Sequence, residues 1–296
     1  MVRIGIAGDA QPFLSELNKH KHVQYAGTFN PSVNSSELLP WLNSLDGVIF
    51  TFPMSDSYTD ILEEIVRSGR HSLLTNPYTL TQHKTNPVLK MARESNVICM
   101  AGSEAFYNPL VRYTKNEMKL PLFIEAQQLK PFQQPDEKID VVRSLMLEDI
   151  VTVLQIVNSE IKYISASGVK VLSDTIDIAN ARIEFTNGTL ANLTSSRIAQ
   201  KELHLTRVFQ KDCYHVLNFL SNQVDKVFLA SSPAAVHPLQ TETTQVEKVM
   251  PEEVMVSDFI HSISLQQNVG MSLDLSRKAL EVCDLILKKI NFLGDE

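Results

Sequence analysis

Short apolar runs alternate with amphipathic stretches in the first part of the chain. Runs such as 2–7 and 47–52 have the length of buried strands, and 58–68 repeats apolar residues every three or four positions, as a helix does. Strands that alternate with helices in this way are typical of βαβ units and a parallel sheet. The pattern therefore predicts an α/β domain of the Rossmann type over residues 1–118.

The pattern changes in the second part of the chain, over residues 119–296. A strand at 122–129 and one long helix at 141–157 are followed by strand-like runs that no helix separates. Asn187-Gly188 stands between two alternating runs, which is a strong hairpin signal. A polar stretch with two prolines, 231–249, indicates an extended connection. We expect an α+β domain with a mostly antiparallel, open sheet, and two C-terminal helices that belong to it.

Composition indicates an ordinary globular protein and excludes several classes of function. Apolar residues make up 44% and charged residues 21%, and the net charge of −7 argues against a nucleic-acid partner. No apolar stretch reaches the ~18 residues of a membrane helix, and the start lacks the apolar core of a signal peptide. The three cysteines and the histidines, among them His204 and His215, lack metal-ligand spacing. These features predict a cytoplasmic protein with no metal site, no nucleic-acid partner and no membrane partner.

The turn after the first strand is where a dinucleotide's pyrophosphate would bind. Such a site needs glycines, because the backbone must approach the phosphates at a helix N-terminus. Only the first of the three glycine places is glycine here, Gly8, while Ala10 and Phe13 occupy the other two. Asp9 adds negative charge, and no Lys or Arg between residues 4 and 18 offsets it. From these residues alone, a degenerate dinucleotide site and a turn that binds no nucleotide are both open.

Further segments carry a family resemblance. In order along the chain they are LDGVIFTFP at 45–53, GRHSLLTNP at 69–77, GSEAFYNP at 102–109, FIEAQQLKPF at 123–132, VVRSLMLEDI at 141–150 and ARIEFTNG at 181–188. With these motifs the chain resembles the Gfo/Idh/MocA (glucose–fructose oxidoreductase / inositol dehydrogenase) family over essentially its whole length.

This resemblance implies a Rossmann domain, a substrate domain, and homo-dimers or tetramers built through the C-terminal sheet. It implies an oxidoreductase that transfers hydride between NAD or NADP and a sugar, cyclitol or related carbinol. The cofactor-binding positions that it implies are Gly8, Asp9, Ala10, Asn30, Thr51, Pro53, Pro77 and Glu104.

The charged working residues of the family are replaced. The family uses a Lys, an Asp and a His to hold the developing alkoxide and move the proton. Asn76, Ser144 and Glu148 stand at these places, and Gln128 replaces an Arg common in the first strand of the second domain. Asn30 replaces the acidic residue that holds the ribose, so NAD and NADP are not distinguished.

The resemblance together with these replacements predicts a catalytically degenerate member of the family. Two alternatives stay open. One is a non-catalytic ligand-binding or regulatory partner subunit on the same fold. The other is a divergent reductase in which Glu148 acts as the base, since a carboxyl on an apolar helix face can have a raised pKa.

Overall fold

The computed structural model describes residues 1–30, 37–52, 56–76, 82–133, 139–230 and 238–294. The chain divides into two compact units. One comprises Met1–Tyr107 and Val249–Lys278, and the other comprises Asn108–Lys248 and Ala279–Glu296. The sequence-based boundary after residue 118 stays a prediction. Within the described ranges, no helix combines the length and the apolar character that are needed to cross a bilayer.

The first unit is built on a parallel sheet, as the alternating pattern predicts. Its strands are β1 (Val2–Ala7), β2 (Val23–Phe29), β3 (Gly47–Phe50), β4 (His71–Leu74) and β5 (Cys99–Ala101), in the order β2-β1-β3-β4-β5. Its helices are α1 (Gln11–Leu17), α2 (Leu38–Leu42), α3 (Asp56–Arg67), α4 (Gln82–Glu94), α5 (Glu104–Tyr107) and α8 (Pro251–Leu265). Every residue of β3 is buried, which is usual for a strand covered on both faces. The strand order reverses between β1 and β3, and ligands of such sheets bind outside the carboxyl ends at that point.

The second unit contains a larger, mostly antiparallel sheet, which confirms the predicted fold class. Its strands are β6 (Pro121–Leu129), β7 (Ile161–Val169), β8 (Ile178–Phe185), β9 (Leu190–Ser196), β10 (Leu203–Gln210), β11 (Cys213–Asn218), β12 (Gln223–Leu229) and β13 (Leu239–Gln245). They follow the order β13-β12-β11-β10-β6-β9-β8-β7, with only β6 and β9 parallel among these neighbours. The helical elements are α6 (Pro109–Glu117), a π-helical turn (Val142–Met146), α7 (Leu147–Ile156) and α9 (Leu273–Gly294), which starts in the first unit.

Three local features test the expectations from the sequence. The Asn187-Gly188 hairpin is present between β8 and β9, with Gly188 at a φ of +89°. The predicted connection 231–249 instead contains strand β13, whose side chains are almost all exposed. Strand β13 is held by backbone hydrogen bonds to β12 rather than by buried side chains, so the sequence carries no hydrophobic pattern that predicts it. The predicted helix 141–157 begins with the π-helical turn rather than with regular α-helix.

Candidate functional site

Gly8 lies at the carboxyl end of β1 and is crowded by the end of β3. Its φ is +115°, and an added Cβ would collide with Thr51 Oγ1 and come within 3.0 Å of the Phe52 ring. Thr51 approaches so closely because its amide donates a hydrogen bond of 2.9 Å to the Ala7 carbonyl. Phe13, at the third glycine place of the motif, is buried. Glycine is therefore needed at position 8 for the chain's own packing.

The amides at the start of α1 are occupied by the chain itself. The Gln11 amide donates to Asp9 Oδ1 at 3.0 Å, Pro12 has no N–H, and the Phe13 amide donates to the Ala10 carbonyl at 3.0 Å. A pyrophosphate at a helix N-terminus accepts hydrogen bonds from such amides. The Asp9 carboxylate stands in that role here and would repel a phosphate. The described residues at this turn therefore do not fit a dinucleotide pyrophosphate.

The other cofactor positions implied by the resemblance are spread along the same edge of the parallel sheet. Asn30 follows β2 and Glu104 begins α5, and both are exposed. Asn76, an implied catalytic position, follows β4 and is exposed as well. Pro53 and Pro77 lie outside the described residues.

Two further features of this edge were not singled out from the sequence. A Cβ on Gly102 would lie 2.6 Å from the Thr75 carbonyl oxygen, so glycine lets the strand β4 end pass close to β5. The rings of Phe52 and Tyr58 stack with centroids 4.8 Å apart, and Phe50 contacts both rings. This aromatic group places an apolar surface next to Gly8.

A cavity of about 330 Å³ opens within the second unit. It is lined by Lys130, Pro131, Gln133, Ser144, Leu145, Arg197 and Glu202. Ser144 lies on the π-helical turn, where its hydroxyl donates to the Asp140 carbonyl at 3.0 Å. The volume falls in the range of ~300–1,000 Å³ that small-molecule sites occupy.

Arg197 is the buried cation of this cavity, and its charge is balanced. Its Nε donates to Asp177 Oδ1 at 2.7 Å, and the guanidinium also donates to the Ile139 carbonyl. Burial by itself raises the pKa of Asp177. Hydrogen bonds from Ser173, from the Val171 amide and from Arg197 outweigh burial and hold the pKa of this carboxyl well below its usual range.

Asp149 and His204 form a pair next to this cavity. Asp149 is fully buried, and its Oδ1 lies 3.3 Å from Nε2 of His204. The imidazole stacks on the Phe219 ring with centroids 4.2 Å apart and keeps 21% of its side-chain surface exposed. Burial raises the pKa of Asp149, and the hydrogen bond from His204 opposes part of that rise.

Two neighbours complete a buried polar group around this pair. Gln128 on β6 lies opposite His204 on β10 and opposite Ser195 on β9. The three side chains therefore share one face of the sheet. Gln128 Oε1, Ser195 Oγ and Asp149 Oδ2 are buried and have no hydrogen-bond partner among the described residues. We call Gln128, Asp149, Ser195 and His204 the polar cluster. Buried polar atoms are nearly always paired, so three unsatisfied atoms in one cluster are unusual for a purely structural group.

The cavity and the polar cluster are built on the same four elements. Lys130, Arg197 and Glu202 line the cavity two residues along the chain from Gln128, Ser195 and His204, respectively, and Ser144 precedes Asp149 by five. Lys130, Arg197 and Glu202 lie one residue beyond the ends of β6, β9 and β10, so the cavity lies at that end of the three strands. The polar cluster is therefore within two residues of the cavity lining along each of these strands.

The structure distributes the three implied catalytic positions over both units. Asn76 belongs to the first unit, while Ser144 and Glu148 belong to the second. Ser144 lines the cavity, and Glu148 is half-buried. The sequence reasoning missed the Asp149–His204 pair. A usable signal was present, because a charged residue inside the apolar stretch 145–154 indicates a buried partner.

The chain matches no model of a known protein family. It is 26% identical over 230 residues to UDP-N-acetylglucosamine 3-dehydrogenase of Acidithiobacillus ferrooxidans, a match that covers 77% of this chain and 73% of that protein. A solved structure of the same protein aligns with a TM-score of 0.83 and 24% identity over 98% of this chain and 97% of that one.

Two other solved structures show the same architecture. A dehydrogenase from Clostridium difficile aligns with a TM-score of 0.78 and 14% identity, covering 98% of this chain and 99% of that one. An NAD-binding protein from Listeria innocua aligns with a TM-score of 0.73 and 13% identity, covering 98% and 95%. This chain has the fold of the Gfo/Idh/MocA dehydrogenases. One member of the polar cluster, Gln128, stands at the position where the family resemblance implies an Arg.

Proposed function

We propose that this chain is a sugar-binding protein of the oxidoreductase type, in which the second unit recognises the sugar and hydride transfer has been lost. The relative that it resembles over most of its length is named as a dehydrogenase of a nucleotide-linked sugar. The observation that carries the loss is the hydrogen bond from the Gln11 amide to the Asp9 carboxylate, which occupies the phosphate position with a negative charge. Asn76 also replaces the family's cation.

A neutral polyhydroxyl ligand suits the chemistry of the second unit. The cavity contains Lys130 and Arg197, and Glu202 together with Asp177 balances their charge. The adjoining polar cluster presents the partly exposed imidazole of His204 as a hydrogen-bond acceptor, beside the buried carboxylate of Asp149. Sugars present many hydroxyl donors, so they can satisfy such an acceptor.

An active nicotinamide-dependent oxidoreductase is the second candidate function. The observation that favours it is the Asp149–His204 pair, because an imidazole held by a buried carboxylate is a competent proton acceptor. This candidate requires a hydride acceptor, and the start of α1 does not favour the phosphates of one. A divergent enzyme that uses Glu148 as its base belongs to the same candidate.

We also propose that the chain forms a homo-oligomer through the sheet face that the polar cluster does not share. That face carries the ion pair of Arg207 with Glu125 at 3.0 Å and the ring contacts of Phe209 with Phe123 and Tyr214. Aromatic residues and Arg are enriched in protein interfaces. Light scattering after size-exclusion chromatography tests the expected dimer or tetramer, and a monomer at micromolar concentration contradicts it.

The decisive experiment measures ligand binding by thermal shift and calorimetry. The probes are NAD⁺, NADH, NADP⁺, NADPH, UDP-N-acetylglucosamine and N-acetylglucosamine. A ligand at 100 times its Kd stabilises by about 2.7 kcal/mol, which is roughly 5–10 °C for a chain of this size. We expect a shift with the sugar probes and none with the dinucleotides. Dinucleotide binding together with sugar-dependent formation of NADH or NADPH establishes the second candidate instead.

A further inference from the structure

His204 is the member of the polar cluster that combines a fixed orientation with access to solvent. We infer that His204 accepts a hydrogen bond from a sugar hydroxyl through Nδ1, and that Asp149 is the positioning residue that holds the imidazole for this contact. The inference rests on the proposed function and names the residue that makes the sugar contact in it. It holds for a bound ligand and equally for a substrate.

The tautomer of His204 follows from its contact with Asp149. The carboxylate oxygen Oδ1 lies 3.3 Å from Nε2, so Nε2 carries the proton and donates it. In a neutral imidazole, Nδ1 then has a lone pair and acts as an acceptor. Among the described residues, none bonds to Nδ1. The pair therefore presents an acceptor whose direction is set by a buried group.

Packing fixes the plane of the imidazole as well. The ring stacks on Phe219 at an interplanar angle of 24°, and the Phe219 amide donates to the His204 carbonyl at 3.1 Å. The backbone of His204 is held by β10, which pairs with β6 on one side and β11 on the other. A rigid acceptor loses little side-chain entropy when a ligand binds.

The neighbours of His204 form a buried polar layer beside the imidazole. Gln128 lies opposite it on the next strand, about 4.8 Å away, and Ser195 lies one strand further. Gln128 Oε1 and Asp149 Oδ2 are acceptors, and the Ser195 hydroxyl both donates and accepts. These three atoms are buried, so the partly exposed His204 imidazole is the ligand contact of the cluster. The lone pair on Nδ1 matches a hydroxyl donor, which a sugar has and a phosphate dianion lacks.

A purely structural role explains the pair poorly. Burying a carboxylate is unfavourable, and replacing both members of a buried ion pair with apolar residues is often neutral or stabilising, so stability alone does not require this pair. Asp149 also leaves Oδ2 without a partner among the described residues. Stability alone does not require Asp149, but Asp149 orients the partly exposed imidazole of His204. We therefore explain Asp149 by the ligand contact that His204 makes.

The experiment measures calorimetric affinity for UDP-N-acetylglucosamine, N-acetylglucosamine and UDP, together with Tm, in His204→Phe, His204→Asn and Asp149→Leu. Phe keeps the ring stack and loses both nitrogens, so we expect about a tenfold weaker affinity for the two sugar probes. Asn places an amide oxygen near the position of Nδ1, so its affinity stays within about threefold of wild type. His22→Asn, an exposed histidine of the first unit, is the matched control and leaves affinity unchanged.

Asp149→Leu separates positioning from structure. We expect weaker sugar binding per folded molecule and loss of the single Nε2–H tautomer in the ¹⁵N spectrum of His204, whatever the change in Tm. A structural role produces the opposite result, a lower Tm with unchanged affinity per folded molecule, and would overturn the inference.

The outcomes distinguish this inference from the proposed function. Sugar binding by the wild type that His204→Phe leaves intact overturns the inference alone. Binding of none of the sugar probes by the wild type overturns the proposed function and the inference with it. Binding of UDP with affinity equal to that of UDP-N-acetylglucosamine shows that the sugar is not recognised, and it also overturns both.

Discussion

The carboxylate of Asp149 lies 3.3 Å from Nε2 of His204, although 55 residues separate them along the chain. Helix α7 brings the carboxylate to the sheet, and β10 presents the imidazole to it. The pair adjoins a cavity lined by Ser144, where the family resemblance implies a catalytic residue. The buried polar side chains that adjoin a cavity therefore lie in the second unit, while the amides of the phosphate turn in the first unit are hydrogen-bonded within the turn.

Replacing Gly8 tests the close approach of Thr51. We expect Gly8→Ala to lower the free energy of unfolding by about 2–3 kcal/mol, because it adds a collision to the strain of a positive φ. Gly27→Ala is the matched control, since Gly27 has a φ of +101° and nothing within 4 Å of an added Cβ. Urea unfolding measures both variants. Equal losses in the two would show that position 8 has only backbone strain.

Asp9→Gly tests the closed phosphate turn. It frees the Gln11 amide and removes a negative charge, so we expect NADH, which should give no thermal shift with the wild type, to bind the variant at least about tenfold more tightly, or ~1.4 kcal/mol. Fluorescence titration with NADH measures the change. Asp60→Ala removes the same charge from an exposed position of α3 and serves as the control. If both variants bind NADH alike, net charge rather than the turn governs affinity.

The ion pair of Asp177 with Arg197 predicts how stability depends on pH. Hydrogen bonds hold the pKa of Asp177 below its unfolded value of about 3.9, so its contribution is present above that pH and is lost as pH falls through the folded pKa. Asp177→Asn should lower the free energy of unfolding at pH 7 by about 3 kcal/mol, because it removes the carboxylate that pairs with the buried Arg197 cation. Urea unfolding from pH 7 to pH 2.5 measures this.

The difference between wild type and Asp177→Asn should narrow as the pH falls below about 3.9, without vanishing by pH 2.5, because the folded pKa of Asp177 lies well below its usual range. A constant difference between the two proteins over the whole range contradicts the assignment. Asp174→Asn, on the same loop at an exposed position, is the control.

His215 predicts a second pH effect, near neutrality. It is fully buried under α6, and neither ring nitrogen has a partner among the described residues. Burial lowers its pKa, Lys226 lowers it further, and Glu117 opposes them. The unfolded chain therefore binds the His215 proton more readily than the folded chain does. The free energy of unfolding is thus unaffected by His215 protonation above pH ~6.5 and decreases as the pH falls below that value.

His215→Leu should reduce this loss between pH 7.5 and pH 5.5, and Tm over that range measures it. His20→Leu, a half-buried histidine of the first unit, is the comparison. An identical pH dependence in His215→Leu and wild type excludes His215 as the source.

The sequence by itself determined the two-part architecture, the parallel and antiparallel sheets and the Asn187-Gly188 hairpin. Hydrophobic periodicity and turn chemistry are local properties, so they can be read from neighbouring residues. The same reading located the departures at Asp9, Ala10 and Asn76.

Only the tertiary structure decided which side chains meet. The π-helical turn bonds residue i to i+5, so it shifts the helix that follows by one position, and Asp149 rather than Glu148 is the buried carboxylate of α7. The pairing of Asp149 with His204 depends on strand register and on helix packing. Strand β13 and the crowding of Gly8 by Thr51 likewise come from partners distant along the chain. Contacts between residues that are distant along the chain produce no periodic pattern in the local sequence, so they cannot be predicted from it.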